Sequence, residues 1–455
     1  MNMKPTVSVD LWSSWAVRKL SAGRLAARAA ALTNGDAMSK SFLLILTAAV
    51  SLGAALPALG QALQPDPSQP GGFPLPDGNG KQLVQQNCVS CHDLRRVVNS
   101  SYSPGEWRNV VDMMKAAGAP LSDDQVPVVA NYLNASFPGK PKPVAVIVPG
   151  SANVSFKEWT VPTPGSRPHD PLATRDGAIW YSGQMANKLG RLDPVSGTIK
   201  EYPLPPRSGP HGLTEDKDGN IWYAANFGGY IGKLDPKTGD IKQYKMPDPN
   251  ARDHHTPLFD KDGILWFTLQ NANMVGRLDP QTGDVKLVTM PSPKSQPYGM
   301  VFDSKGTIFF DEFGTNKIGS MDRATMTLHE YALPDAGSRP RRIAITSDDT
   351  IWYGDYSKGR LGKLDPKTGK VTEFPSPSGP RSQPYGITVI DDIVWYNESG
   401  VQPNTLVRFD PKTEKFQTWA IPSGGDVVRN MMPTRDGNIA MSESGANHLA
   451  LVGLK

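Results

Sequence analysis

The feature that most constrains this chain is a repeat. The segments Ile179-Trp180-Tyr181, Ile221-Trp222-Tyr223, Leu265-Trp266-Phe267, Ile308-Phe309-Phe310, Ile351-Trp352-Tyr353, Val394-Trp395-Tyr396 and Ile439-Ala440-Met441 mark seven units, and their middle residues step by 42, 44, 43, 43, 43 and 45. Each unit continues into two further strand patterns joined by a turn of the D-P-K-T-G type, as at Leu234 to Asp240. Four short strand patterns per period of this length predict a β-propeller, and seven units predict seven blades. Phe156 to Pro162 (FKEWTVP) copies the outer strand pattern of Ile199 to Pro205 (IKEYPLP), whereas the last unit stops at Leu454-Lys455 without one. The N-terminal strand is therefore expected to complete the last blade, which removes a free sheet edge. Gly 44, Pro 42 and ten Trp suit many short strands and tight turns.

Ahead of the repeats lies a different pattern. Cys88-Val89-Ser90-Cys91-His92 contains the only two cysteines of the chain. Two thiols at this spacing followed by histidine form the attachment signature of a c-type haem, with both sulfurs bonded to the porphyrin and the imidazole on iron. No other cysteine is present to build a structural zinc site. Helices are expected around Gly78–Asn87, over Glu106–Ala117 and over Asp123–Ala135, the last with Ser122 as its N-cap. The iron's second axial position calls for a thioether, and Met114 is the expected ligand, with Met113 one helical step away as the alternative. The run Trp107, Met114, Gly118, Tyr132-Leu133 resembles the small class I-like cytochrome c modules attached to bacterial dehydrogenases. That resemblance implies one covalent haem c and electron transfer.

Targeting follows from the N-terminus. Phe42 to Leu59 is apolar, preceded by Ser39-Lys40 and followed by Gly60-Gln61-Ala62, the pattern of a secretory signal peptide cleaved near Gly60 or Ala62. Met38 is the expected true start. The predicted organisation is an N-terminal extension and signal over 1–62, a flexible leader over 63–77, an all-α cytochrome c domain over 78–136, a Pro-rich linker over 137–153 and the all-β propeller over 154–455. The expected location is periplasmic, with no stable membrane span once the signal is cleaved. A net charge of +4 with scattered basic residues excludes a nucleic-acid footprint.

The blades resemble the streptogramin (virginiamycin B) lyases, whose repeats read P-x-G-I, D-G-x-L-W-F-T-E, N-K-I-G-R-I and G-x-I-x-E-Y-x-L-P; the likeness runs from Phe156 to the C-terminus. It implies a magnesium-dependent C–O elimination through a histidine turn, a glutamate two residues before it and a glutamate on the following strand. No single blade carries all three. Gly209-Pro210-His211-Gly212 matches the turn, yet Ala225 holds the strand position; Glu312 and Glu398 match that position, but their turns carry Tyr298 and Tyr385. His211, Glu312 and Glu398 are thus the candidate catalytic residues of the lyase reading.

Aligned on the Trp position, the turn reads His169, His211, His255, Tyr298, Arg341, Tyr385 and Arg429, and the strand position reads Gly183, Ala225, Leu269, Glu312, Asp355, Glu398 and Glu443. Equivalent positions in a propeller form a ring about its axis. Such a mouth suits either a divalent or transition metal held by imidazoles or an anionic small-molecule substrate. The leading expectation is an exported electron-transfer protein or oxidoreductase component that works with a redox partner protein. The alternatives are a streptogramin-type lyase with an accessory haem domain and a non-enzymatic haem sensor or binding module.

Overall fold

The computed structural model describes residues 63–89 and 93–454, which fall in one compact unit, Ala62–Lys455. The apolar run at Phe42–Leu59, Met38, Cys91 and His92 lie outside the described residues.

Seven four-stranded antiparallel sheets form the bulk of the chain. In blade one the strands are Pro168–Ala173, Ile179–Gly183, Lys188–Leu192 and Ile199–Pro203, in that spatial order. The first strand of each blade abuts that of the next, and the first strand of blade seven, Val428–Pro433, abuts that of blade one. The seven-bladed propeller read from the repeat is therefore the architecture. In the last sheet Val154–Thr160 pairs with His448–Leu454, from Val154 opposite Leu454 to Thr160 opposite His448.

Three recurring pieces of chemistry make one blade. The second strands carry the I-W-Y residues and are buried along their length, as in Ile221–Ala225, because they sit between the first and third strands and between neighbouring blades. The Trp222 indole donates to Asp216 at 2.8 Å and Trp266 to Asp260 at 2.9 Å, so the aspartate opening each D-x-D-G turn anchors the tryptophan six residues on. The third strand supplies a glycine opposite the aromatic. Tyr223 faces Gly232, and a Cβ there would stand 2.1 Å from the phenol ring, so the ring lies flat on bare backbone. Finally, the D-P-K-T-G turn closes on its own aspartate: Asp235 accepts from the backbone N–H of Lys237 and Gly239 takes φ +83.

The helical segment packs around its own core of Phe73, Leu75, Val84, Trp107, Val129 and Leu133. Its helices are α1 (Lys81–Asn87), α2 (Arg95–Val98), α3 (Pro104–Ala116) and α4 (Gln125–Ser136). In α3 Ser103 and Glu106 form a reciprocal capping box, with Pro104 in the first turn, which explains why it starts two residues before the apolar periodicity. The expectation of Ser122 as a cap for the last helix is corrected: α4 begins at Gln125 behind Asp124 with no side-chain cap, and the Ser122 backbone N–H instead donates to the Gln125 side chain.

The proline-rich segment between the two parts is strapped to blade six. The Gln402 N–H donates to Pro143 at 2.9 Å, the Thr418 N–H to Val148 at 2.9 Å, and the Val148 N–H to the Thr418 hydroxyl at 2.7 Å. Prolines without N–H groups alternate with residues that still pair, which lets a linker composition run along an outer strand. Among the described residues no helix is long and apolar enough to cross a membrane.

Candidate functional site at the propeller mouth

Each first strand carries a register shift at the turn position: between Pro168 and Pro171, Pro210 and Leu213, His254 and Pro257, Pro297 and Met300, Arg341 and Ile343, Pro384 and Ile387, and Val428 and Asn430. A bulge bends a strand and re-aims the side chain at the bulge. Just before it the chain enters the left-handed region, at Arg167, Gly209, Asp253, Gln296 and Gln383. Here the bulges direct seven side chains toward one centre.

There the rings meet. His169 and His211 have ring centroids 3.7 Å apart, His211 and His255 3.8 Å, and His255 and Tyr298 3.6 Å. The Tyr298 and Tyr385 hydroxyls are 2.7 Å apart, Arg341 donates to Tyr385 at 2.8 Å while lying 3.7 Å over its ring, and Arg429 reaches the same hydroxyl at 3.4 Å. His254 faces elsewhere and stacks on Phe267.

Burial sets the protonation of this cluster. Desolvation, then the neighbouring positive charges, holds the imidazoles of His169, His211 and His255 well below their ordinary value, so they are neutral. Burial alone would raise Tyr385, but Arg341, Arg429 and Arg342 overcome it and bring the phenol down to about 7; Tyr298, raised by burial, keeps its proton and donates. Tyr385 is the acceptor of the group. A near-ultraviolet titration should therefore show one phenol ionising near neutrality, absent in Tyr385→Phe. Because the folded value lies below the unfolded one, its stabilisation is fully present above about 10, where the free phenol ionises, and is lost as pH falls through about 7. If every tyrosine ionises only with the free phenol, this account of the mouth is wrong.

Two central partners have no signal in the aligned positions. Asp170 is buried with Arg342, 2.5 Å from its Nη2, and its carboxylate also meets His169 Nδ1 at 2.8 Å and lies 4.0 Å from His211 Nδ1. Burial works against the Arg342 charge, and Asp170 restores it above its ordinary value. Asp311, whose carboxyl burial pushes up to about 7, accepts from the Gly299 N–H. Their only trace in sequence is adjacency, Asp170 following His169 and Arg342 following Arg341.

The strand-position carboxylates do other things. Glu398 accepts from the Thr405 hydroxyl of its own blade and from the Ser376 and Ser378 hydroxyls and the Ser378 N–H in the connection from blade five to blade six. Asp355 accepts from the N–H groups of Arg339, Ser357 and Lys358 and closes its turn. Glu312 accepts from Thr315, and burial pushes it up to about 7. Among the described residues no hydrogen bond or ion pair joins His211 to Glu312 or Glu398. The cause is blade geometry, which puts the strand position at the end of the second strand while the turn residue sits at the bulge of the first.

The helical segment meets the ring beside this cluster. A Cβ on Gly165, at φ +65, would stand 2.4 Å from the Asp112 carbonyl carbon, so only glycine lets α3 approach there. Asn109 donates to the Gly445 carbonyl, and Lys142 pairs with Glu106 at 2.7 Å. Between them lies a cavity of about 110 Å³, lined by Val110 and Met113 of α3 and by Arg167, Asp426, Arg429 and Asn447 of the ring. Met114, three residues after Val111 and seven after Trp107, shares the α3 face that those buried residues occupy, while Met113 faces the cavity.

Comparison with known proteins agrees with this architecture. A streptogramin B lyase structure matches with a TM-score of 0.61 at 25% identity, over 67% of this chain and 98% of that one. The virginiamycin B lyase of Staphylococcus aureus matches with 0.61 at 23% identity, over 67% and 100%. Hydrazine synthase of Kuenenia stuttgartiensis shares the fold at 13% identity with a TM-score of 0.53, over 63% and 95%. No curated protein matches the chain. The model of the virginiamycin B lyase family matches residues 144–408, more than half of the sequence, and the chain belongs to that family.

Proposed function

We propose that this protein is an exported, haem-bearing electron-transfer component whose lyase-family propeller binds a small molecule or partner at its mouth. The observation that carries the reading is the shared cavity: α3, which bears Met113 and Met114, and the ring arginines Arg167 and Arg429 line one space. In this reading, a module carrying a one-electron carrier would lie beside a polar binding centre. Tethering of this kind raises the effective concentration of one site at the other.

The residues fit a covalently held porphyrin. Cys88 is half-buried and packs on the helical core, and Leu63, Leu83, Val89, Val97 and Val98 at the edge of that core are likewise only partly covered, an apolar shelf suited to a large planar ring. In this reading Cys88, Cys91 and His92 hold haem c. Met114 would be the α3 residue that holds the iron opposite the attachment motif, because its helical phase matches Trp107 and Val111 whereas Met113 lines the cavity at the propeller. A c-type haem bound there supplies one-electron exchange with a redox partner. The signal-like run at Phe42–Leu59 supports export to the periplasm.

The lyase reading draws on family membership, but Glu398 is saturated by Ser376, Ser378 and Thr405, and His211 is surrounded by His169, His255 and Asp170. The full chain, produced with export and haem-attachment machinery, is expected to carry one covalent haem with a low-spin spectrum. Replacing Cys88 and Cys91 together by alanine should remove it, and Met114→Ala should let the reduced protein bind carbon monoxide. A haem-free exported protein, or magnesium-dependent opening of a depsipeptide lactone that vanishes in His211→Ala, would overturn the proposal.

A further inference from the structure

The charge balance of the mouth is unusual for a protein interior. Four guanidinium groups, on Arg167, Arg341, Arg342 and Arg429, lie in or beside the aromatic cluster, and the Nε of every one is buried without a hydrogen-bond partner. Only Arg342 has an ion-pair partner among the described residues, Asp170. Arg341 and Arg429 share one acceptor, the Tyr385 hydroxyl. Arg167 has none, and burial with Arg429 as neighbour pulls it down to about 9.

Other groups facing the cluster do not remove the excess. The three imidazoles are neutral, and burial pushes the Asp311 carboxyl up to about 7, which weakens it as a counter-charge. Even with Tyr385 as phenolate, positive charge exceeds negative. At the cavity rim Glu106 is spoken for by Lys142 and the Ser103 cap, and burial, then Glu106, raises the Asp426 carboxyl, which favours a form able to donate. Arg342 is buried and the other three are only partly open to solvent, so like charges this close repel, and an anion sharing their space relieves that repulsion.

We infer that the mouth is a binding site for a small anion with several oxygen acceptors, an oxyanion of the size of phosphate or a dicarboxylate such as oxalate, held by Arg167 and Arg429 at the cavity and backed by Arg341. This rests on the reading of the mouth as a binding centre and not on the haem. The charges around it favour an anion over a cation. His169, Asp170 and His211 offer ligand atoms within 4.8 Å of one another, but Asp170 is already paired with Arg342, and three further guanidinium groups face the same space. Planar guanidinium forks suit multi-oxygen anions, and Ser444 and Asn447 on the same wall are uncharged, their own donors being committed to Pro168, Val161 and Thr163.

The test is calorimetric titration of the full chain with inorganic phosphate and separately with oxalate. At least one should bind saturably and more weakly as salt rises. Arg167→Gln and Arg429→Gln should each weaken binding at least about tenfold, and Arg429→Lys less. Ligand-free Arg429→Gln should melt no lower than wild type, since removing one repelling charge offsets the lost contact. That outcome separates a ligand-binding arginine from a structural one, whose removal lowers Tm. Failure of wild type to bind either anion, equal binding by the glutamine variants, or a lowered ligand-free Tm with unchanged affinity would each overturn the inference. The haem spectrum of the same sample keeps the two readings apart: binding without haem sinks the electron-transfer proposal and leaves this one, and haem without binding does the reverse.

Discussion

Asp170→Asn should lower the stability of the full chain by about 3–5 kcal/mol. Asp170 and Arg342 are both 4% exposed and belong to opposite sides of the ring, blades one and five. The carboxylate takes two guanidinium contacts, at 2.5 and 3.2 Å, and holds His169 Nδ1 at 2.8 Å. Asparagine keeps the shape but not the charge. Arg342 is then left buried beside Arg341 with its one counter-charge gone, and the charge excess of the mouth rises. Replacing both members, Asp170→Asn with Arg342→Met, should recover much of the loss, because it is the uncompensated charge rather than the absent contact that destabilises. Denaturant unfolding of the two variants checks this. A loss under about 1 kcal/mol in the single variant would mean that water reaches Arg342.

Trp222→Ala should cost a comparable amount, about 3–5 kcal/mol. Trp222 is 1% exposed, stacks on Tyr244 at 5.1 Å and meets Phe259 of the next blade edge-on at 5.5 Å. It packs in one cluster with Leu265, Phe267 and Leu278 of blade three. The substitution therefore opens a cavity between two blades rather than inside one. Trp222→Phe keeps an aromatic ring and loses the hydrogen bond to Asp216, which Asn220 still engages twice. Its cost should be nearer about 1 kcal/mol. Equal effects for the two substitutions would show that the indole hydrogen bond, not the volume, holds the blades together.

Much of the fold was legible because it is periodic. The spacing from Trp180 to Trp222 to Trp266, the glycine opposite the aromatic in blades one to five and the D-P-K-T-G turn repeat the same local physics, and repetition turns a weak signal into a blade count. The same alignment named the ring residues from His169 to Arg429, since a shared register implies a shared place about the axis. Ser122 was misassigned because an N-cap depends on where the helix begins, and neighbouring Asp124 precedes a helix that starts two residues later. The composition of 137–153 gave no sign that this segment is strapped to blade six, because backbone pairing leaves no mark on side-chain type.

By itself, then, the sequence determined the propeller, its seven blades and the identity of the side chains that face the axis. Only the tertiary structure decided what those side chains do to one another. That Glu398 is consumed by Ser376, Ser378 and Thr405, that Asp170 answers Arg342 from 172 residues away, and that three further arginines lack an ion-pair partner among the described residues are matters of distance and burial. Charge is written in a sequence, but its energy is set by the dielectric around it and by the partners within a few ångströms, and both arise only when distant segments are brought together.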